Sequence, residues 1–102
     1  MNDVAAYGIA MSDEVQKHME SLLPTTREYV EGQVRVIAHE AGRHHDANMK
    51  RWRTPRCAIE GETAKVSCGD GTYYAGIVYY SRRELTLRTV YTREKHFGRS
   101  AP

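Results

Sequence analysis

Residues 63–92 read TAKVSCGDGTYYAGIVYYSRRELTLRTVYT, and this stretch decides the fold class. Segments rich in Val, Thr, Tyr and Ile, which favour β-strands, lie near 63–68, 72–80 and 84–92. Gly69-Asp70-Gly71 separates the first two segments, and Gly and Asp tolerate the positive φ of a hairpin turn. Ser81-Arg82-Arg83 is predicted to form the second turn. Strands joined by such short turns pair antiparallel, so the stretch predicts an antiparallel sheet.

A first helix is predicted over the segment that follows Ser12. Apolar residues recur at i, i+4 and i+7 on one helical face, and they are Val15, Met19 and Leu22. Ser12 suits an N-cap, and the acidic residues directly after it suit the positive end of the helix dipole. Pro24 ends this helix.

A second helix is predicted to begin at the capping-box pair Thr25 and Glu28. Its apolar face consists of Val30, Val34, Ile37, Ala38 and Ala41. The end of this helix has two interpretations. Gly42 suits the residue that follows a helix, but the same spacing continues to Arg53, where Thr54-Pro55 must end the helix.

The order of elements predicts an α+β fold. A further strand is expected near 56–60, and residues 7–11 form an edge strand or an ordered arm. Two N-terminal helices would then pack on a C-terminal antiparallel sheet of three to four strands. A chain of 102 residues has the size of a single domain. We expect one domain over 1–102, with a mainly helical half at 1–55, an antiparallel β half at 56–98 and a tail at 99–102.

The N-terminus lacks the basic start and the long apolar stretch of a signal peptide. No apolar run approaches the roughly 18 residues that a transmembrane helix needs. We therefore expect a cytoplasmic protein with no membrane partner. Its two cysteines, Cys57 and Cys68, are then expected to be reduced, although the sequence also allows a disulfide between them.

Positive charge is concentrated in two blocks of the sequence. The formal net charge is only +2, but residues 43–56 carry five Lys or Arg against one Asp, and residues 82–102 carry six against two acidic residues. A fold that brings the blocks together would create a basic face of the kind that binds nucleic acid. The alternative is a solvated surface with chance clustering.

Two segments resemble the RelE/ParE superfamily of small bacterial toxins, which includes the RelE, HigB and YoeB types. Tyr7 to Leu23, YGIAMSDEVQKHMESLL, is similar to the family's opening strand and first helix. Gly71 to His96, GTYYAGIVYYSRRELTLRTVYTREKH, is similar to its last two strands and basic C-terminal end. Length and element order agree as well. The resemblance implies a ribonuclease toxin that acts on mRNA, at the ribosome in some members, and a cognate antitoxin that masks its basic face.

The sequence departs from that family at two places. Ribonuclease members usually carry an Arg in the penultimate strand, whereas residues 73–79, YYAGIVY, contain no basic residue. YoeB-like members end on His followed by Tyr, whereas this chain has His96-Phe97. The missing arginine favours a non-enzymatic relative, such as the ParE-like members that inhibit DNA gyrase.

Cleavage of RNA through its 2′-hydroxyl needs a base, an acid, and cations that stabilise the charge on the phosphate. His96 is the candidate acid or base, because an unperturbed imidazole titrates at about pH 6.5. Lys65 lies on the wet face of its predicted strand and would meet a phosphate. Arg88 and Arg93 lie on or just past the last strand and complete the catalytic set.

A wider set of cations and one tyrosine is expected to bind nucleic acid by ion pairing and stacking. Its members are Lys50, Arg51, Arg53, Arg56, Arg82, Arg83, Lys95 and Tyr91. The motif from His39 to His44 resembles the zinc motif HExxH, but its second His comes one position late. Side chains five apart lie about 140° from one another on a helix, so we expect no metal and no cofactor.

The sequence is compatible with three functions. The chain is an endoribonuclease toxin with RNA and an antitoxin as partners, or a ParE-like protein without catalysis. The third is a phage- or plasmid-encoded binding protein that covers a nucleic acid or a protein machine. In that hypothesis the acidic N-terminal third and the basic remainder would allow a homodimer or docking on a charged partner.

Overall fold

The computed structural model describes residues 6–43 and 51–92. Within them the chain forms two helices and six strands. Their bounds are β1 Gly8–Met11, α1 Asp13–Ser21, α2 Pro24–Arg43, β2 Arg51–Arg53, β3 Cys57–Glu60, β4 Thr63–Ser67, β5 Thr72–Tyr79 and β6 Glu84–Thr92. The α+β class is confirmed, and so are the four strands predicted from the second half of the sequence.

The six strands form one mixed sheet in the order β1-β6-β5-β4-β3-β2. β1 runs parallel to β6, and every other neighbouring pair is antiparallel. The prediction of a purely antiparallel sheet of three to four strands is therefore corrected. Of the two additional strands, β1 has four residues and is the edge strand that was one of the two expectations for residues 7–11, and β2 has three residues. Such short strands carry too little alternation to reveal a partner or its direction.

α1 begins as predicted. Ser12 is its N-cap, and its side-chain oxygen accepts a hydrogen bond of 3.2 Å from the backbone N–H of Val15. The same hydroxyl donates to the backbone carbonyl of Arg88 at 2.7 Å. The N–H of Val90 donates to the carboxylate of Glu14 at 2.9 Å. The first turn of α1 therefore satisfies backbone groups of β6 beyond the point where β1 ends.

α2 begins one residue before the predicted cap. Pro24 is its first residue, a position where the missing N–H of proline costs nothing. Thr25 therefore lies inside the first turn, and the capping box predicted for it is wrong. The helix reaches Arg43 and includes Gly42, which is buried. Trp52 belongs to β2, where it pairs with Ile59, so a single helix reaching Arg53 is excluded.

The helices cover one face of the sheet. Their buried side chains, Val15, Met19, Val30, Val34 and Ile37, join strand side chains such as Ile59, Val66, Tyr74, Leu85 and Leu87 in one core. Both halves of the sequence contribute to that core. Cys57 and Cys68 are buried and free, so they form no disulfide with each other. Neither helix within the described residues combines the length and the apolar composition needed to cross a bilayer.

Candidate nucleic-acid interface

The face of the sheet that is turned away from the core carries the polar residues of the strands. In β4, Ala64 and Val66 are buried, whereas Lys65 between them is exposed. In β5, Tyr74 and Val78 are buried and Tyr73 is half-buried. Because side chains alternate along a strand, Lys65 and Tyr73 lie on this second face. It is called the open face below and includes Arg53, Lys65, Ser67, Tyr73 and Tyr91.

A basic groove crosses one half of the open face. Arg53 pairs with Ala58, Ala58 with Lys65, and Lys65 with Ala75. Two strand spacings of about 4.8 Å therefore separate the backbones of Arg53 and Lys65. The groove has a volume of about 260 Å³ and is lined by Arg53, Thr54, Pro55, Arg56, Cys57, Ala58, Lys65 and Ser67. Its size and its cations suit a phosphate group.

Two tyrosines lie beside the groove. Ser67 pairs with Tyr73 and Tyr73 with Tyr91, so these residues form the next row of the open face. The rings of Tyr73 and Tyr91 are stacked, with centroids 5.4 Å apart and an interplanar angle of 24°. The Lys65 ammonium lies over the Tyr73 ring, 5.0 Å from its centroid. Burial, and then the nearby phenol of Tyr91, raise the pKa of Tyr73 above its ordinary value.

Arg88 lies at an irregularity of β6. The register shifts between Ala75 and Gly76, which pair with Thr89 and Leu87, so Arg88 has no partner in β5. Arg88 is exposed, and its neighbour Thr89 is in the same row as Lys65. An extra residue in one strand is the arrangement of a β-bulge, which often redirects a side chain near a binding site.

The remaining predicted cations that fall within residues 6–43 and 51–92 lie in three places. Arg56 lines the groove, and its guanidinium is 5.9 Å from the ring centroid of Tyr29 on α2. Arg51 is in β2 and forms an ion pair of 3.5 Å with Glu60. Arg82 and Arg83 lie in the turn between β5 and β6, at the opposite end of the hairpin from Tyr73 and Tyr91.

The turn cations have partners of their own. The Arg82 guanidinium is 4.1 Å from the ring centroid of Tyr79 and forms an ion pair of 3.1 Å with Glu84. Arg83 has a positive φ of 51°, and its carbonyl accepts a hydrogen bond from the N–H of Gly8. Tyr79 lies six positions after Tyr73 in β5, a distance of about 20 Å along the strand. The structure therefore does not bring Arg82 and Arg83 to the groove.

Four of the predicted residues lie outside the described part of the chain. They are Lys50, Arg93, Lys95 and His96. Of the predicted catalytic set, Lys65 and Arg88 can thus be placed, on strands separated only by β5.

Two residues of the open face were not predicted as site residues. Tyr73 and Ser67 join the site because β5 pairs with β4 and β6 in one particular register. Alternation along the sequence already places Tyr73 on the face opposite to Tyr74. The sequence therefore indicated the face on which Tyr73 lies. It did not indicate that Tyr73 stacks on Tyr91, because this contact depends on the register between β5 and β6.

On the helix side of the sheet, His18 Nδ1 and the Tyr74 hydroxyl share a hydrogen bond of 2.8 Å. Burial is the main cause that raises the pKa of Tyr74 and of its neighbour Cys68. Among residues 6–43 and 51–92, no group of three or more His, Cys, Asp or Glu side chains is placed to hold a metal ion.

No protein-family model matches the sequence, and no curated protein matches it significantly. Solved structures with the same fold exist. One is a chain of the archaeal RelE-RelB complex from Pyrococcus horikoshii OT3, with a TM-score of 0.59 and 11% identity, covering 87% of this chain and 97% of that chain. Another is a chain of the intact E. coli RelBE toxin-antitoxin complex, with a TM-score of 0.51 and 13% identity. The match covers 85% of this chain and 96% of that chain. The resemblance seen in the sequence is thus confirmed for the fold, which is RelE-like.

Proposed function

We propose that this chain is the toxin of a toxin–antitoxin pair and that it cleaves RNA on the open face of its sheet. The observation that carries the proposal is the grouping of Arg53 and Lys65 with stacked Tyr73 and Tyr91 on one face of a RelE-like fold. Cations beside stacked aromatic rings suit a single nucleic-acid strand, because the cations bind phosphates and the rings stack on bases.

The proposed reaction is an attack by the ribose 2′-oxygen on the adjacent phosphorus. A base removes the 2′-hydroxyl proton, the new P–O bond forms, and the bond to the 5′-oxygen breaks. An acid protonates that leaving oxygen, so the products carry a 2′,3′-cyclic phosphate and a 5′-hydroxyl. Lys65, with Arg53 across the groove and Arg88 beyond β5, stabilises the negative charge that builds on the phosphate.

The sequence supplies the other proposed participants. His96 is the candidate acid or base, Arg93 a further catalytic cation, and Lys50 and Lys95 bind the RNA backbone. Arg51 and Arg56 extend the basic surface on either side of Arg53.

An antitoxin with an acidic segment would complement the open face and block RNA from it. Both solved structures of this fold described above were obtained as complexes with a second protein. This supports a cognate antitoxin as the partner of this chain.

Charge removal on the open face tests the proposal directly. Lys65→Ala is expected to lower the rate of cleavage of a single-stranded RNA by about a hundredfold, as the loss of one transition-state donor does in other enzymes. Arg82→Ala is the matched control, because it removes one cation at the far end of the β5–β6 hairpin. Equal rates for both variants would contradict a site on the open face.

Growth after induced expression in bacteria tests the toxin itself. The wild-type chain is expected to arrest growth and to produce cuts in total RNA. His96→Ala and the paired Arg88→Ala, Arg93→Ala variant are expected to abolish both effects. An absence of arrest with the wild-type chain would rule out the toxin function.

A second candidate function is supported by β5, which contains no Lys or Arg between Thr72 and Tyr79. Without a cation in this central strand, a ParE-like or other binding protein would use the same face without chemistry. Growth arrest without RNA cuts would favour this candidate over the nuclease.

A further inference from the structure

We propose that Tyr73 is a positioning residue, whose ring holds the Lys65 ammonium at the place where the scissile phosphate binds. The inference rests on the proposed ribonuclease function and deepens it. The observation behind it is a row of three contacting groups on the open face. The Lys65 ammonium is 5.0 Å from the Tyr73 ring centroid, and the Tyr73 ring is stacked on Tyr91 at 5.4 Å.

Lys65 needs such a support because its surroundings offer little else. Its cross-strand neighbours are Ala58 and Ala75, which are too small to confine a long side chain. Among the described residues no carboxylate forms an ion pair with it. A lysine side chain has four flexible carbons and places its charge poorly when nothing holds it. The face of an aromatic ring attracts an ammonium and therefore narrows the range of positions that Lys65 occupies.

Tyr73 is itself held in place. It lies in β5, between the strands that carry Lys65 and Tyr91. Tyr73 is half-buried, and its ring is stacked on the ring of Tyr91. A ring that is fixed in place restricts the position of the Lys65 ammonium. A cation in a fixed position contributes most in the transition state, because the phosphate gains negative charge there.

The chain offers a matched control on the same strand. Tyr79 is also in β5, and its ring also carries a cation, since the Arg82 guanidinium lies 4.1 Å from its centroid. This pair lies at the far end of the β5–β6 hairpin, about 20 Å from Tyr73 along the strand. Tyr79→Leu therefore removes an equivalent ring–cation contact outside the groove.

The experiment is a double-mutant cycle on cleavage of a single-stranded RNA oligonucleotide. Tyr73→Leu is expected to lower kcat about fivefold, which corresponds to an exposed ring–cation contact, and to change KM much less. Tyr73→Phe keeps the aromatic ring, so its kcat is expected to equal that of the wild-type protein. In the Lys65→Ala background, Tyr73→Leu is expected to have no further effect, whereas a merely structural role would lower kcat by the same factor again.

A second measurement does not depend on RNA or on a variant that folds. In the wild-type protein the ring current of Tyr73 should move the NMR signals of the Lys65 ε-protons upfield of those of exposed Lys17. Coinciding signals would overturn the inference, as would a wild-type kcat in Tyr73→Leu or equal losses in Tyr73→Leu and Tyr79→Leu. In both kinetic cases the wild-type enzyme still cleaves RNA, so the proposed function would stand. A wild-type protein that cleaves no RNA would instead overturn the proposed function, and the inference with it.

Discussion

Gly76 lies in β5 where the backbone of β6 comes very close. A Cβ atom at this position would overlap the Thr86 carbonyl oxygen and would lie 2.8 Å from Leu87 Cα. These are backbone atoms beside the irregularity at Arg88, so they cannot rotate away as a side chain would. Gly76→Ala is therefore expected to lower the free energy of unfolding by about 1–3 kcal/mol, as overpacking does in a core. Urea denaturation followed by circular dichroism measures it.

Gly32→Ala is the control for that substitution. Gly32 is in α2, and the nearest atom to an added Cβ would be the flexible Arg35 guanidinium at 3.9 Å. An alanine at this helical position is expected to stabilise the fold by about 0.5–1 kcal/mol. A urea midpoint that is unchanged or raised in Gly76→Ala, as it is expected to be raised in Gly32→Ala, would contradict the close approach at Gly76.

At the scale of elements, Ser12 connects α1 to the sheet through two hydrogen bonds. Its oxygen caps the helix at Val15 and its proton goes to the Arg88 carbonyl. Ser12→Ala removes both hydrogen bonds and is expected to lower the free energy of unfolding by about 1–2 kcal/mol. Ser12→Asp keeps the cap but has no proton to donate, so its loss should be smaller. Chemical denaturation measures both variants.

Ser21→Ala is the control for the loss of a serine hydroxyl. Ser21 donates to the His18 carbonyl at the exposed end of the same helix, and its removal should cost less than about 0.5 kcal/mol. Equal losses for Ser12→Ala and Ser21→Ala would show that the contact with β6 contributes nothing to stability.

The elements with a clear periodic pattern could be predicted from the sequence. α1 and the strands β3 to β6 follow helical spacing or alternation, and their turns carry Gly or a charged run. The pairing of β1 with β6 could not be predicted from the sequence, because it joins Gly8–Met11 to Glu84–Leu87, which are far apart in the chain. One interpretation of the sequence placed Trp52 in a continuation of α2. The helical spacing of the 20-residue α2 is a stronger signal than the alternation of side chains in β2, which has only three residues.

For the whole molecule, the candidate site could be predicted only in part. Alternation placed Lys65 on a wet face, and charge counting singled out Arg53. Charge counting also grouped Arg82 and Arg83 with the site, although the turn holds them at the far end of the hairpin. Position along the sequence does not encode which end of a strand faces a ligand. That information lies in the register, which also joins Tyr73 to Tyr91.

Stability at alkaline pH is a further property of the whole molecule, because the core contains two thiols. Burial raises the pKa of Cys57 from 9.0 to about 11, and a hydrogen bond with Thr54 offsets this in part. A thiol whose pKa is raised by folding stabilises the native state fully below pH 9.0, and this contribution is lost as pH rises through the folded value. Burial raises the pKa of Cys68 as well.

Cys57→Ser tests this contribution, because serine keeps a hydrogen-bond donor toward the Gln33 carbonyl but does not titrate in this range. Between pH 8 and pH 11 the free energy of unfolding of the wild-type protein is expected to fall by on the order of 2 kcal/mol more than that of the variant. Tyrosines and lysines also titrate in this range, but they do so in both proteins, so the difference between the two unfolding curves isolates Cys57. Parallel curves in reducing buffer would mean that Cys57 reaches solvent in the native state.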